Sequence, residues 1–186
     1  MEFDKALHAR RAVREYTKEP VDEATLRRLI EAATLAPSAM NEQPWLFTVI
    51  RDKALLARIS TASKAASLAA TAPGSMPRRL RERLENPAYD IFYGAPVLIV
   101  ISSATDGRWA AVNCSLAAEN LMLAALDAGL GTCWIGFAQN WLGLPEAKAA
   151  LELPPDSVPV AAIIVGHAAS FPPPVPRKEP AISWIG

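Results

Sequence analysis

Arg10, Arg11 and Arg14 fall within five positions of one another in the stretch HARRAVREY. Planar guanidinium forks at that spacing suit the oxygens of a phosphate or another dense anion. With Glu15 and Glu19 close by, the same cluster also reads as a solvated charged face. A second stretch, APSAMNEQPWLF, places Pro37 and Ser38 ahead of Asn41 and Gln43. Small residues followed by amides suit a loop passing close to a flat polar ring, and equally an ordinary helix-to-strand turn. In GLGTCWIG, glycine and small residues precede Trp134, Ile135 and Gly136. Such a run can bring backbone N–H groups near a ligand, or can simply lead from a helix cap into a buried strand. Arg177, in PPVPRKEP, is a cation on a stiff proline-rich segment or in a loose tail.

What is missing narrows the chemistry further. The two histidines, His8 and His167, have no metal-ligand spacing with Cys, Asp or Glu, and Cys114 and Cys133 form no CxxC pair. No metal is expected. No GxSxG elbow, GxxxxGK[ST] loop or GxGxxG fingerprint occurs. Side chains therefore offer no evident nucleophile, which points to a bound cofactor as the carrier of any hard chemistry. Nineteen basic residues balance nineteen acidic ones, so bulk attraction to nucleic acid or to an anionic membrane is not expected. The longest aliphatic run, APVLIVI, is far shorter than the roughly 20 residues of a membrane span. MEFDKALHARR lacks the apolar core of a signal peptide, and two free thiols suit a reducing compartment, so a cytoplasmic location is expected.

These residues need a scaffold, and 186 residues suffice for a sizeable core. EFDKALHA reads as a short helix with Phe3, Ala6 and Leu7 on one face. Leu26, Leu29, Ile30 and Ala33 recur at helical spacing; Asp22 is the expected N-cap and Pro37 the stop. WLFTVIRD alternates as a strand does, KALLARISTASKAAS reads as a helix, and residues 72–90 as a loop or lid with one short helix. APVLIVISS, apolar at nearly every position, is expected to be a central strand. Residues 108–127 form a helix that is apolar nearly all round, hence buried in the core or against another subunit, with Gly129 as its C-terminal cap. GTCWIGF and VPVAAIIVGH read as strands, with LPEAKAALEL between them as a helix. Strands and helices do not alternate strictly, so an α+β sandwich is expected over residues 1–170, with a proline-rich tail at 171–186.

Taken in order, these segments resemble the nitroreductase family of flavoproteins. RRAVREY is similar to that family's RRSxR opening, and PSAMNEQPWLF matches its P-S-x-x-N-x-Q-P-W signature at every fixed position. FYGAPVLIVI, GLGTCWIG and a late arginine extend the likeness over nearly the whole chain. The resemblance implies a central, mainly antiparallel sheet surrounded by helices, and a homodimer with two FMN sites built from both chains. On it, Arg10, Arg11 and Ala12 lie at the FMN phosphate and ribityl chain, joined by Arg177 from the tail. Arg14 lies beside the pyrimidine side of the flavin, Pro37, Ser38 and Asn41 reach the partner's flavin, and Trp134, Ile135 and Gly136 line its other side. It further implies hydride transfer from NADPH or NADH, in a ping-pong cycle, to nitroaromatics, quinones or similar acceptors. Relatives that dehalogenate or fragment their own flavin, and a protein that merely stores FMN, are the alternatives. Ala12 departs from the family's usual serine, and Val175 from a basic residue of larger members, for which Lys178 can compensate. The chain also lacks a long helical excursion, leaving residues 73–90 as cover, with Arg78, Arg79, Tyr89 and Phe92 as candidate substrate contacts.

Overall fold

Local caps and hydrophobic spacing account for most elements of the computed structural model, which describes residues 2–72 and 74–186. Helix α1 spans Phe3–Ala9 and α2 spans Glu23–Thr34, where the Asp22 carboxylate accepts from the Thr25 N–H as an N-cap should. Hydrogen bonds from the Thr25 hydroxyl and backbone hold that carboxyl below its ordinary range. Strand β1 (Trp45–Ile50) leads into α3 (Lys53–Ala69), capped in the same way by Asp52 onto the Leu55 N–H at 2.6 Å. The expected lid carries one helix, α4 (Arg78–Glu85); Pro73, at the start of the expected cover over 73–90, lies outside the described residues. Strand β2 (Val97–Ser103) precedes α5 (Ala110–Asp127), which Gly129 ends in the left-handed region at φ 76°.

Strand β3 (Gly131–Trp134), the short helices α6 (Gln139–Leu142) and α7 (Pro145–Ala150), and β4 (Val158–Gly166) complete the fold. The four strands run in the order β1-β2-β4-β3, every neighbour antiparallel, so β2 is central as its composition requires. Its side chains serve two cores by alternation. Val97, Ile99 and Ile101 pack toward α2 and α5, whereas Leu98 and Val100 pack toward α3, α6 and α7. The sheet is thus sandwiched between helical layers, an α+β architecture.

Several boundaries differ from the sequence reading. GTCWIGF stays extended only to Trp134; Gly136–Ala138 tightens into a 3-10 turn that runs into α6, an element too short to leave a periodic signal. The helix expected over 144–153 is six residues, with Pro145 opening its first turn and Glu152 in the left-handed region. In α1 Ala6 is buried, while Phe3 and Leu7 face outward because nothing among the described residues covers that side. Helix α5 is buried along one face, while Val112 and Leu116 remain nearly half exposed. Residues 171–186 form no helix or strand and are almost wholly exposed. Among the described residues no helix is long and apolar enough to cross a membrane.

Candidate functional site

The arginines ride on a strap, residues 10–17, that crosses the end of the sheet. Its path is set by hydrogen bonds: Ala12 bridges Thr132 in parallel, the Val13 N–H donates to the Thr132 carbonyl at 2.9 Å, and Tyr16 bridges Ala168. Two glycines opposite each other in the β3–β4 ladder make room for it. A Cβ on Gly131 would stand 2.8 Å from Val13, and one on Gly166 would stand 2.6 Å from Pro96 and 2.9 Å from Tyr16. The Tyr16 hydroxyl donates to the Val13 carbonyl at 2.8 Å and folds the strap on itself. Burial pushes that phenol well above its ordinary range, so it remains a donor.

This path directs each cation. The Arg10 Nε lies 3.2 Å from the Glu119 carboxylate on α5. Arg11 turns back on the C-terminal end of α1, donating to the carbonyls of His8 at 2.7 Å and Arg10 at 2.6 Å, where a cation also complements the helix dipole. Its Nε is buried and has no partner. Arg14 reaches the opposite side and, with Tyr93, Ile91 and the run Cys133–Phe137, lines a cavity of about 370 Å3. The strap and the end of β3 thus bring Arg14 together with Trp134, Ile135 and Gly136. A Cβ on Gly136 would meet nothing within 4 Å, so backbone there borders open space. Burial pushes the Cys133 thiol up, with the charges of Arg14 and Arg10 pulling against that shift, and Arg14 is the one charged residue of the cavity lining. A larger concavity of about 500 Å3 lies between α3 and residues 87–96. Its buried Lys64 donates to the carbonyls of Asn86 at 2.9 Å and Tyr89 at 2.7 Å, so that charge is already engaged in holding a loop.

Pro37 and Ser38 belong to a separate groove, with Ala39, Met40, Trp109, Val112, Asn113 and Leu116. Asn41 adjoins it on the same loop. The loop is strained: Met40, Asn41 and Gln43 all have φ between 49° and 56°. Gln43 braces it, its N–H donating to the Ser38 hydroxyl and its side-chain Nε2 to the Asn41 side-chain Oδ1, both at 3.0 Å. Asn113, which sequence reasoning missed, anchors the loop to α5: its Oδ1 accepts from the Ala39 N–H, and its backbone carbonyl from the Trp45 indole, each at 3.0 Å. Its Nδ2 is buried and has no partner. A polar residue on the buried face of an otherwise apolar helix was the signal available.

Arg177 is not brought to this cluster within the chain; it lies in the exposed tail beyond the Ser170 hydroxyl, which donates to Glu15 at 2.7 Å. Of the candidate substrate contacts, Phe92 is a core residue at 1% exposure, and Arg78 is paired with Glu82 at 2.7 Å. Tyr89 instead meets Tyr93, hydroxyl to hydroxyl, at 3.0 Å.

Known proteins resemble this chain in fold and sequence. A crystal structure of a nitroreductase with bound FMN from Bacteroides fragilis superposes with a TM-score of 0.86 and 27% identity over 100% of both chains. Nitrobenzene nitroreductase of Ectopseudomonas oleovorans is 30% identical, covering 97% of this chain and 92% of its own. FMN reductase [NAD(P)H] of Bacillus subtilis is 30% identical over 90% of this chain and 66% of its own. The model of the nitroreductase family matches residues 7–167, and with the fold and the relatives in agreement the chain belongs to that family.

Proposed function

We propose that this protein is an FMN-dependent oxidoreductase that carries electrons from NADPH or NADH to a small organic acceptor such as a nitroaromatic or a quinone, and that it works as a homodimer. The observation that carries the reading is the cavity in which the Arg14 guanidinium meets Trp134, Ile135 and Gly136. FMN, when bound, supplies the acceptance and release of hydride. The residues present fit that group. The buried, unpartnered Arg11 Nε is a donor in want of an oxyanion, and Arg10 stands beside it on the same strap. Gly136 leaves its side of the cavity open to a flat ring.

In this reading Arg10, Arg11 and the Ala12 backbone hold the phosphate end, with Arg177 delivered by the tail. Arg14 holds negative charge at the pyrimidine side, where a fixed guanidinium favours the more anionic state of the ring. Trp134, Ile135 and Gly136 line the ring and exclude water from one side of it. Pro37, Ser38 and Asn41, in their own groove, complete the site of a second copy of the chain.

An absorption spectrum of the purified protein before and after anaerobic NADPH and NADH tests this directly. Flavin bands that bleach with either nucleotide and return on adding a nitro compound are expected. A colourless protein that also fails to take up added FMN would sink the proposal.

A further inference from the structure

Helix α4 carries four arginines and two glutamates. Both glutamates are engaged at i,i+4, Glu82 with Arg78 at 2.7 Å and Glu85 with Arg81 at 3.4 Å. Arg79 and Arg83, also four apart, make no ion pair among the described residues. Arg83 is held in another way: its guanidinium lies 4.3 Å from the centroid of the Tyr89 ring and 5.9 Å from that of Tyr93. Tyr93 is the ring that lines the cavity with Arg14, whose guanidinium lies 5.9 Å from the same centroid. One aromatic ring at the cavity wall therefore stands near two guanidinium groups.

The segment that presents this ring is firmly built. Lys64 fixes its first half by donating to the carbonyls of Asn86 and Tyr89, and the Ser60 hydroxyl accepts from the Ile91 N–H at 3.1 Å. The Asp90 carboxylate accepts from the N–H groups of Phe92 at 2.9 Å and Gly94 at 2.8 Å, so both its oxygens brace the turn. Tyr93 itself is held at φ 55°, a conformation costly for an aromatic residue and met where surrounding structure over-determines it.

We infer that Arg83, seated on the Tyr89–Tyr93 edge, recognises an anionic group, a carboxylate or a phosphate, on the molecule that enters the cavity. The inference rests on the FMN reading and deepens it: the incoming molecule shares the site with FMN at the Tyr93 wall, and its charged substituent projects past Tyr93 to Arg83. The anion has two sources, a carboxylate on an aromatic acceptor or the phosphates of the nucleotide donor.

The test uses the FMN-loaded protein, with FMN content measured first. Benzoate and benzamide, alike in shape and different in charge, are titrated into wild type, Arg83→Gln and Arg83→Lys while the flavin absorbance is followed. KM and kcat for NADPH and NADH are measured on the same samples. Benzoate Kd is expected to rise about tenfold in Arg83→Gln, as for loss of one partly exposed charge-assisted contact. Benzamide should stay within about twofold, and Arg83→Lys should recover part of the loss. An unchanged benzoate Kd with a raised nucleotide KM at constant kcat assigns the phosphate source instead. Equal loss of both ligands, no loss of either ligand or nucleotide, or a wild type blind to the charge overturns the inference while normal FMN content leaves the functional reading standing. A wild type that holds no FMN fails that reading, and this inference with it.

Discussion

Arg10 and Arg14 leave the same strap, and the proposed function gives them separable tasks. Arg10 has a protein partner in Glu119, which holds its side chain in place at the α5 side of the strap. Among the described residues Arg14 has a long contact to the Ala12 carbonyl at 3.5 Å and the Tyr93 ring, and its charge is available to whatever fills the cavity. Arg10→Ala is expected to weaken FMN binding by about 1.5–3 kcal/mol, roughly ten- to a hundredfold in Kd. Arg14→Ala should instead retain FMN and lower the reduction potential of the bound cofactor, because the cation that favours negative charge is gone. Equilibrium dialysis and a potentiometric titration separate the two. A swap of these outcomes would reverse the assignments, and an unchanged FMN affinity in Arg10→Ala would remove the phosphate role altogether.

The strap depends on what lies beneath it. Gly131 and Val13 are in such contact that Gly131→Ala must push the strap off β3 or spread the β3–β4 ladder. A stability loss of about 1–3 kcal/mol is expected, with weaker FMN binding alongside it. Gly143→Ala is the control: its φ of −73° suits alanine, and its Cβ would meet only carbonyl oxygens at 3.8 Å. Urea midpoints and FMN titrations of the two variants read this out; equal behaviour would mean the strap is not seated as described. Elements encoded locally were legible in the sequence, such as the α2 stripe with its Asp22 cap and the unbroken apolar run of β2. The α+β class followed from them. The seating of the strap was not, since it joins Ala12 to Thr132 through glycines whose purpose shows only in three dimensions. Phe92 was misread as a substrate contact because its burial is tertiary. On α4 the i,i+4 spacing of Arg78 and Arg81 to glutamates already marked Arg79 and Arg83 as the cations left over, a signal present in the sequence and not used.

At the scale of the molecule, the candidate site is divided between two grooves. One holds Arg14 and the end of β3; the other holds Pro37, Ser38 and the strained loop. The second is an apolar surface, with Met40 91% exposed and Trp109, Val112 and Leu116 each exposed by 42–46%. Contiguous apolar surface of this kind marks a contact site. A two-fold dimer would cover the groove with the same surface of its twin and set each chain's loop against the other chain's cavity. On the proposed function dimerisation and FMN binding are coupled, and they are expected to fail together. The double substitution Val112→Glu and Leu116→Glu places two carboxylates one turn apart on the exposed side of α5, where they cost a monomer little and an apolar interface much. Light scattering after size exclusion should find wild type as a dimer and the variant as a folded monomer, with circular dichroism unchanged and FMN lost on the column. A variant that is monomeric yet keeps FMN at wild-type affinity would show the site to be complete within one chain, and the loop at Ser38 would need a different purpose.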